Sequence, residues 1–249
     1  MRVTYCILIL MIFYAGAQAQ GSSEYKTENY FDLAIGASKG NFSSALSWSH
    51  LYGIGKNQRF KIGYGARFTN YIGANKYFST APAKYTSTKQ GITTIFSKTL
   101  EANLDTITTT TASINTLNLA LFFQYRLLKK FDIGFNIDVI GLSFGPKKPF
   151  NILSSDFDDG QEPVQSASPT RFNLLLTSDN DIGSLNSEFY VKHALTQRWS
   201  IRAGLAFIFA EFRTQQDLSF DNGRIVNDRY RYKAPLGVLA VAFQPFAKL

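Results

Sequence analysis

From Tyr30 onward the chain alternates apolar and polar residues with period two, over segments longer than the strands of a soluble sandwich. The clearest run is Phe131 to Phe144. There Phe131, Ile133, Phe135, Ile137 and Val139 share one face, while Asp132, Gly134, Asn136 and Asp138 share the other. Leu117, Leu119, Leu121, Phe123, Tyr125 and Leu127 likewise oppose Asn118, Ala120, Gln124 and Arg126, with Phe122 as the exception. From Trp199 to Phe209, the residues Trp199, Ile201, Leu205 and Phe207 oppose Ser200, Arg202, Gly204 and Ala206. Weaker copies run from Phe31 to Ala37, Leu46 to Ile54, Phe60 to Phe68, Leu185 to Leu195 and Leu236 to Phe243, which makes eight predicted strands.

The connectors fall into two classes. Lys56-Asn57-Gln58, Lys129-Lys130 and Thr196-Gln197-Arg198 read as tight turns, whereas Tyr71 to Leu117, Gly145 to Gly183 and Thr214 to Tyr230 are long. After a first hairpin at Lys39 to Asn41, short and long connectors alternate, as they do between the two ends of an outer-membrane barrel. An even strand count puts both termini at one end. A ten-strand alternative promotes Arg171 to Thr177, with its Asp179-Asn180-Asp181 turn, together with the extended run Thr106 to Thr111. Both are read here as loop strands or extensions above a membrane. No stretch after Ala15 approaches the roughly 18 to 20 apolar residues a membrane-spanning helix needs. A chain that crosses lipid without such helices must close its backbone hydrogen bonds in a barrel. The predicted fold class is therefore all-β: a closed antiparallel up-and-down transmembrane β-barrel of eight strands.

The N-terminus sets the compartment. Arg2, an apolar core from Tyr5 to Ala15 and the small residues of Ala17-Gln18-Ala19 have the form of a cleaved secretory signal peptide, residues 1–19. Residues 20–249 then form one barrel domain. Cleavage removes Cys6, the one cysteine, so the mature chain has neither a disulfide nor thiol chemistry. Charged residues make up 18% of the chain, against roughly 25% in an ordinary globular domain. The formal charge of +8 would suggest nucleic acid in a cytosolic protein. In an exported one it points to anionic lipid or polysaccharide, and no nucleic-acid partner is expected.

A soluble lipocalin-like barrel has the same alternation with the apolar face turned inward. The polar set here, however, mixes charges with Gly63, Gly65, Gly134, Gly204, Ala120 and Ala206, which suits the crowded interior of a narrow barrel. The apolar set suits lipid, with Trp48, Tyr52, Tyr125 and Trp199 as interface anchors. The strands beginning Phe31-Asp32-Leu33, Phe131-Asp132-Ile133-Gly134-Phe135 and Trp199-Ser200-Ile201-Arg202-Ala203-Gly204 resemble the small porin-like outer-membrane β-barrel family. That resemblance implies residence in the outer membrane, with outer-membrane lipid and the barrel assembly machinery as partners. Barrels of this family usually end on an aromatic residue. This chain departs from that pattern, passing Phe243 and Phe246 before Ala247-Lys248-Leu249.

Inward parity collects Asp32, Asp132, Asp138 and Glu188 with Lys61, Arg67, Arg126, Lys192 and Arg202. The expectation is a charge-paired interior plug, since unpaired buried charges cost several kcal/mol each. The long connectors carry charges of opposite sign: Lys76, Lys84, Lys89 and Lys98 in the first, Asp156, Asp158, Asp159 and Glu162 in the second. An extracellular ligand would meet residues 73–115 and 145–183. His50 and His193 are isolated, so no catalytic set, metal site or cofactor is expected. The predicted role is structural or interactive and non-enzymatic. A small conductance barrel for polar solutes and a lipid-modifying outer-membrane hydrolase are the alternatives.

Overall fold

A computed structural model describes residues 27–81, 106–153, 164–176, 180–220 and 225–246. Eleven strands occur among them: β1 (Thr27–Ser38), β2 (Asn41–Ile54), β3 (Phe60–Thr80), β4 (Thr106–Leu128), β5 (Phe131–Phe144), β6 (Lys148–Leu153), β7 (Val164–Pro169), β8 (Phe172–Leu174), β9 (Leu185–Ala194), β10 (Trp199–Phe220) and β11 (Ile225–Phe243). Every pairing is antiparallel, and no described helix is long and apolar enough to cross a membrane.

The pairings close twice. In the first ring β1, β2, β3, β4, β5, β9, β10 and β11 follow one another, and β11 returns to β1 through Phe243↔Phe31. In the second, β3, β4, β6, β7, β10 and β11 are joined through Ile107↔Ile152, Phe150↔Gln165, Ser168↔Arg213 and Tyr230↔Thr80. This smaller ring is a cap above the first. Strand length explains the division: β3, β4, β10 and β11 have 21, 23, 22 and 19 residues and run through both rings, while β1, β2, β5 and β9 have 12, 14, 14 and 10 and stop below the cap. At about 3.3 Å per residue, β4 is roughly 70 Å long, about twice what a tilted membrane span of about 10 residues requires.

The outward face of the eight-strand ring is apolar. Leu33, Leu119, Leu205 and Leu239 are 62%, 59%, 58% and 63% exposed, and Phe31, Phe68, Phe135, Phe189 and Val241 continue the band. Along β4 it runs from Leu117 to Tyr125, about 20 Å in height for a strand tilted by about 40°. Inside the cap the same type of residue is buried. Phe78, Phe150 and Phe212 pack edge-on and tilted with centroids 5.0 to 5.5 Å apart, over Ile107, Ile152 and Tyr230.

Several elements refine the reading of the sequence. Thr106 to Thr111 opens β4, and Phe172–Leu174, within the described residues 171–176, forms a strand that pairs with β5 at Ile140 to Leu142. Neither adds a further strand to the eight-strand ring. The register of β5 against β4 slips between Asp138 and Ile140, so Val139 lies in a bulge and outward parity passes to Ile140, Leu142 and Phe144. The closing strand ends at Phe243, which pairs with both Phe31 and Trp199. The signal-peptide segment with Cys6, the connector charges Lys84, Lys89, Lys98, Asp156, Asp158, Asp159 and Glu162, and the tail from Ala247 lie outside the described residues.

Candidate functional site

The inward face of the eight-strand ring carries charge in three tiers, set by how far along its strand each residue lies. At the end bearing the short turns, Lys61 Nζ of β3 donates to Glu28 Oε2 of β1 at 2.5 Å, and Tyr30 donates to the same oxygen at 2.7 Å. Asp132 of β5 accepts from Gln124 at 2.7 Å and from Arg126 at 3.1 Å. Lys192 of β9 donates to Gln124 Oε1 at 2.7 Å, stands 3.6 Å from Asp132 and lies over the Tyr30 ring. In the middle tier the Arg202 guanidinium of β10 bridges Asp32, at 2.7 Å, and Glu188, with the Tyr190 ring beneath it. In the upper tier Arg67 reaches Asp138 at 2.5 Å, Asn136 at 2.6 Å and the Asn186 carbonyl at 2.8 Å. Asp138 is completed by Asn118 at 2.8 Å and the Asn186 N–H at 2.9 Å.

All nine charged residues singled out from parity occupy this interior. A tenth, Glu28, belongs with them. Its signal was available: Glu28 has the parity of Asp32, and five cations against four carboxylates in a closed interior call for one more acid. With Glu28 the ring holds Lys61, Arg67, Arg126, Lys192 and Arg202 against Glu28, Asp32, Asp132, Asp138 and Glu188, and is neutral. Neutrality and multiple hydrogen bonds per ion are what make burial of such charges tolerable.

The network leaves little free space. A cavity of about 30 Å³ lined by Tyr30, Asp32, Gln124, Lys192 and Arg202 has room for one or two waters. Gly134 marks a close crossing: a Cβ there would come within 2.3 Å of the Tyr190 ring, so the glycine lets the ring lie across the interior. The wall around Arg202 is low, made by Ala34, Ala206, Ala240 and Ala242. This explains the weak alternation of β11, where Leu236, Val238, Ala240 and Ala242 face inward against an apolar outer face.

A second charged cluster, not anticipated from the sequence, sits at the base of the cap. Glu211, fully buried, holds Arg229 at 2.8 Å and Arg231 at 2.8 Å, and both arginines also donate to the Asp181 carbonyl. The Gly183 N–H donates to Glu211 at 3.0 Å, which anchors residues 180–184 against β10. Gly183 has φ +76°, and a Cβ there would meet Asn173 Oδ1 at 2.1 Å.

The histidines lie apart from both clusters. His50 shares a hydrogen bond of 2.8 Å with Asn29 within an outward aromatic group of Trp48, Tyr52 and Tyr64, and His193 packs on Phe131 at 4.4 Å. Among the described residues no three His, Cys, Asp or Glu side chains form a group able to hold a metal ion. Lys76, a cation of the first long connector, is buried beside Tyr232 and donates to the Lys39 carbonyl at 3.2 Å.

No family model and no curated protein matches the chain. Among solved structures it is similar to Neisserial surface protein A, with 10% identity over 90% of this chain and 99% of that one and a TM-score of 0.37. It is similar also to the Yersinia pestis outer membrane protein Ail, with 9% identity over 88% and 99% and a TM-score of 0.35. A Pseudomonas aeruginosa FadL homologue shares 11% identity over 87% of this chain and 75% of that one, with a TM-score of 0.26.

Proposed function

We propose that this protein is an integral outer-membrane β-barrel that does not conduct solutes and has no enzymatic activity. Its eight-strand ring anchors a rigid β-structured cap offered for contacts outside the cell. The observation that carries the reading is the change of the outward surface along single strands. On β10 it passes from Trp199, Ile201, Leu205 and Phe207 to Arg213 and Gln215, as an exterior must where lipid gives way to water. The filled, neutral interior argues for a plug over a conduit, and the isolated histidines argue against a lipid-acting hydrolase. Outer-membrane lipid and the barrel assembly machinery are its expected partners. The long connectors, residues 73–115 and 145–183, are where an extracellular ligand would bind.

The test is reconstitution. The purified protein should show β circular dichroism in detergent, migrate differently on a gel before and after boiling, and leave a planar lipid bilayer electrically silent. Discrete single-channel steps would replace the plug with the conductance reading. A detergent-independent soluble monomer would overturn membrane residence itself.

A further inference from the structure

Apart from the Lys39-Gly40 hairpin, the short turns of the ring, three in number, lie at one end, and their charge is one-sided. Lys56 and Arg59 flank the β2–β3 turn, Lys129 and Lys130 make the β4–β5 turn, and Arg198 ends the β9–β10 turn. The first four are exposed, and the turns contain no carboxylate. The two acids nearest in sequence position at this end, Glu28 and Asp132, are turned inside and engaged by Lys61, Arg126 and Lys192.

The turns are held at one level by backbone hydrogen bonds. The Arg126 N–H donates to the Arg59 carbonyl at 2.8 Å, Ala194 to Lys130 at 2.9 Å and Gln244 to Arg198 at 2.8 Å. Within a few residues of these turns, facing outward, is a girdle of Tyr52, Tyr125, Phe131 and Trp199, the last packed on Phe243 with centroids 4.7 Å apart. Amphipathic rings of this kind settle at the headgroup level of a bilayer. Cations placed just beyond them stand in the phosphate plane. Arg198 Nε is shielded from solvent and has no acceptor among the described residues. At the cap end Lys39, Lys147 and Arg171 are also exposed, but Arg213 faces Asp228 at 2.8 Å and Arg229 and Arg231 are engaged by Glu211, and among the described residues no such girdle of Trp and Tyr lies beneath them.

We infer that this turn-side rim is a binding surface for anionic phospholipid, gathering phosphatidylglycerol-type headgroups from the leaflet that adjoins it. The inference rests on the membrane residence proposed above. Flexible lysines act as point charges towards phosphate, and near an anionic bilayer each is worth about a five-fold change in association.

The experiment uses the full mature chain in phosphatidylcholine bilayers containing a trace of spin-labelled phosphatidylglycerol or spin-labelled phosphatidylcholine. The motionally restricted fraction of each label measures its association with the protein. Labelled phosphatidylglycerol should be enriched several-fold over labelled phosphatidylcholine, and the preference should shrink as salt is raised. A Lys56→Gln/Lys129→Gln/Lys130→Gln variant should lose most of it, while the corresponding triple substitution to arginine should keep it. Equal association of the two labels with the wild-type chain, or a preference unchanged in the glutamine variant, overturns the proposal. The wild-type measurement and its salt dependence stand even if the glutamine variant misfolds. Failure of the wild-type chain to enter the bilayer at all would instead overturn membrane residence, and the lipid surface with it.

Discussion

The eight-strand ring and the cap share four strands, yet they invert one another. In the ring, long apolar side chains point outward and ten charged groups point in. In the cap, Phe78, Phe150 and Phe212 point in, while Thr108, Thr110, Asn151, Ser166 and Ser168 point out. β10 shows the inversion within one strand and without a change of parity. Its inward positions pass from Ser200 and Arg202 through Gly204 and Ala206 to Ile208, Ala210 and Phe212, all on the same side of the pleat. The geometry is constant, so what changes must be the surroundings. Where lipid covers the exterior there is no gain in turning apolar groups inward. Where water does, the hydrophobic effect restores an ordinary core. The two rings are thus stabilised by different forces, ion pairing and backbone closure below and apolar burial above.

Breaking one ion pair should therefore hurt the ring most. Arg67→Ala leaves Asp138 fully buried without its cation and should cost about 3 to 5 kcal/mol, read by denaturant unfolding in lipid. The double substitution Arg67→Met/Asp138→Leu removes both charges and should recover most of that loss. If the double variant is as unstable as the single one, the network is not acting through charge pairing.

Phe212→Ala attacks the cap in the complementary way. Phe212 is fully buried between Phe78 and Phe150, and truncation should cost about 3 to 5 kcal/mol. The loss should be confined to the cap. Limited proteolysis should become faster there, while the mobility shift on boiling, which reports the eight-strand ring, should persist. Loss of both together would mean that the two rings fold as one unit.

How much of this could be read from the sequence follows from the same inversion. Period-two alternation is unmistakable where one face is lipid-facing and the other charged, so the ring strands and the inward charges at Asp32, Asp132, Asp138, Lys192 and Arg202 fall out of parity alone. Near Phe209 the two polarity patterns meet. The run Ile208-Phe209-Ala210-Glu211-Phe212 has no clear polar face, so a reading by alternation ends the strand there although pairing continues beyond it. The cap strands β6 and β7 are six residues each and owe their pairing to β4 and β10, far away in sequence. Glu28 escaped for a related reason. It precedes the first clearly alternating residues, and its inward neighbour Tyr30 looks like an apolar-face residue until its hydroxyl is seen donating to Glu28.

Moving the same charge between the two outer faces sharpens the comparison. Leu205, exposed on the apolar band, lies several residues along β10 from the Trp199 girdle, close to mid-band. Leu205→Arg should destabilise the folded protein by about 2 to 4 kcal/mol in lipid, the cost of an arginine at the midplane. Tyr77, 62% exposed on the cap, is the control. Tyr77→Arg should stay within about 0.5 kcal/mol of the parent, as surface substitutions away from buried features do. Equal effects at the two positions would mean that both outer faces meet the same solvent.

The smallest effect expected is at Arg213 and Asp228, which form an ion pair at 2.8 Å across β10 and β11 on the outside of the cap. Arg213 is 53% exposed, so water screens the pair and holding the long side chain in place offsets much of the Coulomb gain. Arg213→Ala should cost about 0 to 1 kcal/mol, and the coupling in a double-mutant cycle with Asp228→Ala should fall as salt is added. Arg67 and Asp138 make a bond of similar length inside the ring, where water is excluded and each ion has further partners. The difference between the two cycles measures what burial does to an ion pair of fixed geometry. A coupling at Arg213 as large as that at Arg67 would place the outside of the cap in a low-dielectric environment, either under lipid or against another protein.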